Sequence, residues 1–142
     1  MNYIDTSALL KWYLPEPGSD AFTAWIGTQH EASISRLVSV EIHVVLTRKQ
    51  RLAELTKAQM TRALTAFLAD VDDGLFRVQP IENVHWEEAE RLVTDAGVPA
   101  LRTLDAVHLA VASVDQAQIF ATADKALAAA ARSLGMSTPH FQ

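Results

Sequence analysis

The chain has no cysteine among its 142 residues. That excludes a disulfide scaffold, a thiolate zinc site and thiol catalysis. Glycine is scarce, at five residues, and no Gly-rich phosphate loop can be traced. Long apolar runs are missing too. The most apolar stretch, residues 104–114, is broken by Asp105 and His108, and a membrane span needs about 18–20 residues. No basic region precedes an apolar one at Met1-Asn2-Tyr3-Ile4-Asp5. No secretory signal and no membrane association are therefore expected, and the cytoplasm is the expected compartment. Positive charge is in deficit: 12 Lys and Arg against 17 Asp and Glu give a net charge of −5. A passive nucleic-acid coat would be basic. An enzyme that holds a metal with carboxylates remains open, because the ion supplies the missing positive charge.

What is present suits one folded domain spanning 1–142. Hydrophobic residues reach 49% and charged ones 20%, which excludes a disordered tail. No internal repeat or low-complexity linker divides the chain. Residues 3–4 read as a strand and 6–14 as a helix stopped by Pro15 and Pro17. Residues 19–26 read as a helix closed by Gly27, and 32–35 as a strand. Residues 36–51 and 57–71 are helical, Asp72-Asp73-Gly74 is a turn, 76–81 is a strand and 86–96 a helix. Thr103 is placed to cap a helix running to 114. A strand at 118–122, a helix at 125–134 and a last short strand near Met136 complete the pattern. Alternating strands and helices predict an α/β fold, a parallel sheet of about five short strands between helices.

Four carboxylates stand where folding alone would not put them. Glu41 shares a helix face with Leu37, Val44 and Val45, so it points where core residues point. Asp105 is the sole acid in an apolar helix, beside Leu101, Leu104, His108 and Leu109. An unpaired buried carboxylate costs several kcal/mol. Asp5 and Asp124 each follow a short apolar strand and precede a helix, and ligands in open α/β sheets collect at the carboxyl ends of strands. Each acid has a plainer role open to it. Asp5 and Asp124 could cap helices, Glu41 could pair with Arg48 or Lys49, and Asp105 could sit on a helix dipole. Taken jointly they predict a cation. Two carboxylates ~4 Å apart repel by about 4 kcal/mol at an effective dielectric near 20. All-oxygen ligands suit Mg²⁺ or Mn²⁺, and such an ion implies phosphodiester hydrolysis.

The pieces Asp5-Thr6-Ser7-Ala8, Glu41, the run from Leu101-Arg102-Thr103-Leu104-Asp105 through Ala106-Val107-His108-Leu109-Ala110, and Thr122-Ala123-Asp124-Lys125, in this order and spacing, resemble the PIN-domain ribonucleases, specifically VapC-type toxins of toxin–antitoxin pairs. The resemblance covers essentially the whole chain. It implies a parallel sheet between helices, and a quartet of Asp5, Glu41, Asp105 and Asp124 that binds Mg²⁺ or Mn²⁺. Asp5 and Asp105 would be direct ligands. Glu41 and Asp124 would bind directly or through water, with Thr6 and Thr122 in support. It also implies a homodimer, a tRNA or rRNA target, and a cognate antitoxin that pushes a basic side chain into the acidic pocket.

A chain of this charge needs local basic groups to hold RNA. Arg102 and Lys11 are the nearest candidates, with Arg36, Arg48, Lys49, Arg51 and Lys125 behind them. Trp12 and Tyr13 could stack on bases but read better as core or dimer contacts. The run Asp70-Val71-Asp72-Asp73-Gly74 misses calcium-loop spacing, and His43, His85 and His108 lack a zinc motif. For His108, three residues after Asp105, packing is the favoured role and support of the acids the other. A phosphatase with Asp5 as nucleophile would want a second Asp where Ser7 stands. A non-catalytic α/β module remains the other alternative.

Overall fold

The computed structural model describes residues 1–141. Four short parallel strands form one sheet in the order β3-β2-β1-β4. They are β1 (Asn2–Ile4), β2 (Ala32–Ser35), β3 (Arg77–Gln79) and β4 (Ile119–Ala121). The expected fifth strand shrinks to a single bridge, Ser137 beside Ile119 on the open edge of β4. Gly135, at φ 87°, turns the chain back towards that edge, but only Ser137 exchanges ladder bonds there.

Seven helices cover the sheet among the described residues. On one face pack α1 (Thr6–Tyr13), α2 (Ser19–Ile26), α3 (Arg36–Arg51) and α4 (Lys57–Asp72). On the other pack α5 (Asn83–Thr94), α6 (Thr103–Val114) and α7 (Lys125–Ser133). Strand alternation sets this division. Ile4 joins Leu9, Phe22, Ile42 and Phe67 in one core cluster, while Tyr3 joins Phe120, Leu109 and Leu92 in the other. No helix of the described residues is long and apolar enough to cross a membrane.

Three local readings need correction. Helix α5 begins at Asn83, three residues before the expected start. The His85 ring causes this: its Nδ1 accepts the Glu82 N–H at 2.9 Å, closing the first turn in place of the usual Glu or Gln. Thr103 is the first helical residue of α6, and Arg102 takes the extended cap position. The face of α3 is also turned from its expected setting. Val38, Ile42 and Leu46 form its buried stripe, while Val44 is 57% exposed. Glu41 thus stands on the rim of the core rather than in it.

Candidate metal-dependent catalytic site

The parallel register brings the first acid to the last strand. Ile4 pairs with Ala121, so the residues that follow them emerge side by side. The Asp5 N–H donates to the Ala121 carbonyl at 3.0 Å. The Asp5 side chain is only 4% exposed and accepts three kinds of donor. Ser7 Oγ and the Ala8 N–H reach Oδ1 at 2.8 and 2.9 Å, and Thr122 Oγ1 reaches Oδ2 at 2.6 Å. Asp5 therefore is the helix cap of α1, and its other oxygen is held by Ser7 and by Thr122, just past the end of β4. Burial pushes its pKa up, opposed by His108 and by these hydrogen bonds.

Thr122 accepts the Asp124 N–H at 3.0 Å, and Ser7 Oγ accepts the Ala123 N–H at 2.9 Å. The loop after β4 is thereby tied to the start of α1. Asp124 caps α7 through Oδ1, which accepts from the N–H groups of Ala126 and Leu127 at 2.8 and 3.0 Å. Its Oδ2 faces Arg102, whose Nη2 is 3.7 Å away. The same guanidinium donates from Nε to Asp105 Oδ2 at 3.0 Å. Asp105 lies in the first turn of α6. From the opposite wall Glu41 Oε1 accepts from Thr6 Oγ1 at 2.8 Å and meets His108 Nε2. Burial raises the Glu41 pKa, but the bond and charge of His108, with the Thr6 bond, outweigh it and hold the carboxyl low.

Asp5, Glu41, Asp105 and Asp124 therefore line one cleft of about 460 Å³. In Glu41, Asp105 and Asp124 one oxygen is engaged by protein donors while the second has no close bond among the described residues. The Thr6, Ser7 and Thr122 hydroxyls complete an all-oxygen donor set, the chemistry that suits Mg²⁺ or Mn²⁺. With Arg102 lodged between Asp105 and Asp124, no three acidic or histidine side chains of the described residues close tightly enough to grip one ion.

The other expected residues are placed less simply. Lys11 lines the cleft, but its ammonium is spent on Glu16 at 3.3 Å and on the Pro17 carbonyl. Arg48 and Lys49 line it as well. Trp12 and Tyr13 turn away and donate to Asp70 Oδ2 at 3.1 and 2.7 Å, which places Asp70 in an α1–α4 contact. Two residues do more than expected: Ser7, quoted only as part of the Asp5-to-Ala8 motif, ties Asp5 to Ala123, and His108 reaches Glu41. His108 is 3% exposed and bonded to Glu41, and its signal was its place one helical turn after Asp105.

This fold and this cleft define a class. A PIN domain matches residues 3–133, and the chain belongs to the PIN domain family. Two curated relatives come from Mycobacterium tuberculosis. Ribonuclease VapC47 is 30% identical over 97% of this chain and 95% of its own. Ribonuclease VapC46 is 35% identical over 95% and 93%. Among solved structures, a toxin–antitoxin complex from Klebsiella pneumoniae superposes with a TM-score of 0.66 over 94% of both chains, at 18% identity.

Proposed function

We propose that this protein is a divalent-metal-dependent endoribonuclease and the toxin half of a toxin–antitoxin pair. The observation that carries the reading is the meeting of Asp5, Glu41, Asp105 and Asp124 in one cleft of a PIN fold. The ribonuclease relatives support the reaction, and the Klebsiella complex supports the partner. Asp5 and Asp105 are assigned as direct ligands of Mg²⁺ or Mn²⁺, and Glu41 and Asp124 as ligands directly or through water. When bound, the ion would supply Lewis-acid polarisation of a phosphate oxygen and would make a neighbouring water more acidic.

The chain's own residues prepare that chemistry. Thr122, Ser7 and the Ala8 N–H fix Asp5 against the sheet. The α7 N-terminus fixes Asp124, leaving Oδ2 towards the cleft. Arg102 is 81% exposed along its side chain and can leave the acids for an RNA phosphate. Arg48 lines the cleft with no carboxylate partner among the described residues, and it is the second phosphate contact we assign. Lys11, held by Glu16, is left out of that role. The tRNA or rRNA class of substrate rests on the family resemblance. Val40, Val44 and Leu68 expose apolar surface on α3 and α4, the kind of patch that a second copy or an antitoxin covers.

The decisive experiment incubates purified protein with structured RNA, with EDTA, and with Mg²⁺ or Mn²⁺ restored, followed by sequencing of the cut ends. Cleavage at defined sites that EDTA abolishes and metal restores is the expected result. Cleavage indifferent to EDTA overturns the metal assignment, and no cleavage with any metal overturns the nuclease. Light scattering on the eluting protein tests the dimer.

A further inference from the structure

A line of buried polar side chains runs from the cleft into the sheet. His108 of α6 meets Glu41 Oε1 through Nε2 and Tyr3 Oη through Nδ1, the latter at 2.7 Å. Tyr3 Oη of β1 is in turn hydrogen-bonded to Ser35 Oγ at 2.9 Å, at the end of β2. Tyr3, Ser35 and His108 are all 3% exposed or less. An apolar ring would fill this place without the desolvation cost of four linked polar groups. Packing alone therefore does not account for a histidine here.

The bonds to Glu41 are one-sided. Oε1 takes both Thr6 and His108, and Oε2 takes neither. Glu41 stands on the rim of α3, with Arg48 and Lys49 lining the same cleft two turns further on. A carboxylate without a tether at such a position would turn to those cations or to solvent. We propose that His108 is a positioning residue: it clamps Glu41 Oε1 so that Oε2 is offered to a divalent cation, with the Tyr3 hydroxyl holding the imidazole at the required angle. The stacking of Tyr3 on Phe120, at a ring distance of 5.3 Å, anchors that hydroxyl to the core. The inference rests on the metal-dependent reading above and adds a residue to it.

The test compares His108→Leu, His108→Gln and Tyr3→Phe by calorimetric titration with Mn²⁺, by thermal unfolding without metal, and by RNA cleavage. Leu keeps the bulk and removes the donor, while the Gln amide nitrogen reaches about as far as Nε2. Losing such outer contacts costs about 10–100-fold in metal affinity or activity. His108→Leu is expected to bind Mn²⁺ at least ~10-fold more weakly while still unfolding cooperatively. His108→Gln is expected within ~3-fold of the parent, and Tyr3→Phe between the two. A second arm repeats His108→Leu in a Glu41→Gln background, where it should cost no further affinity. Parent-like Mn²⁺ binding by His108→Leu overturns the proposal. So does a Gln variant as weak as Leu, or an undiminished cost in the Glu41→Gln background. If His108→Leu does not fold, the Gln and Phe variants decide by the same criteria. A parent protein that takes up no Mn²⁺ overturns the metal reading itself, and this inference with it.

Discussion

At the scale of single residues, Glu41, Asp105 and Asp124 each keep one oxygen without a close protein bond among the described residues, whereas both Asp5 oxygens are held. Asp5 is both a helix cap and the most buried of the four. Asn caps a helix about as well as Asp, so Asp5→Asn keeps α1 while deleting a charge that burial disfavours. We expect Asp5→Asn and Asp105→Asn each to lose at least ~100-fold in RNA cleavage, more than typical losses of an outer contact. Asp5→Asn should unfold at the parent temperature or higher, at about 2–4 °C per kcal/mol for a chain of this size. Calorimetry beside a cleavage assay checks both. Unfolding of both variants would make the acids structural. Arg102 yields an opposite pair of effects. Asp105 first and Asp124 second favour its charged form, so a divalent cation at the proposed site would have to compete with it for both acids. Arg102→Ala should therefore bind Mn²⁺ more tightly in titration calorimetry and bind RNA more weakly.

At the scale of elements, α5 and α6 are clasped by Glu88. Arg91 donates to it from Nη2 and Nε at 2.7 and 2.8 Å, and Ser113 Oγ of α6 reaches it at 3.1 Å. The Arg91 bonds lower the Glu88 pKa most, burial opposes them, and Ser113 adds to them. A lowered carboxyl pKa means stability present above the unfolded value, about 4.3, and lost as pH falls through the folded one. Glu88→Gln should be less stable than the parent in urea at neutral pH by under about 1 kcal/mol, because Arg91 is exposed. The two midpoints should converge in acid.

The same scale shows what a single chain makes legible. The α3 span from 36 to 51 is legible in its apolar spacing, and Pro99 marks the approach to α6, which starts one residue before the expected place. The α5 start is not legible, since a histidine ring replaced the usual capping partner. A fifth strand was over-read near Met136, where one residue bridges to β4. Glu41 was singled out, yet its setting was misjudged, because helical spacing locates a face without saying where the core ends. The stripe Val38, Ile42 and Leu46 lies one position away from it. The four acids were legible through the oddness of charges beside apolar runs. The contacts of Ser7 with Thr122 and of His108 with Tyr3 were not, since each joins segments more than a hundred residues apart in sequence.

At the scale of the whole molecule, the proposed ion binding would be linked to folding. A cation that binds only the folded cleft should add about 2.7 kcal/mol at roughly a hundredfold excess over its Kd. The unfolding temperature should therefore climb with Mn²⁺ in the parent and stay flat in Asp105→Asn under the same calorimetric scan. An equal rise in both would place the ion elsewhere.

The strand order β3-β2-β1-β4 sets the central strand first in the chain and its outer neighbour near residue 120. The Thr122 contact to Asp5 and the Asp124 side chain therefore reach the cleft only after nearly all preceding sequence exists. Parallel pairing of such distant segments is intrinsically slow. A nascent chain still short of residue 122 lacks both the hydroxyl that holds Asp5 and the fourth acid of the cleft, so the cleft is completed only near the close of synthesis.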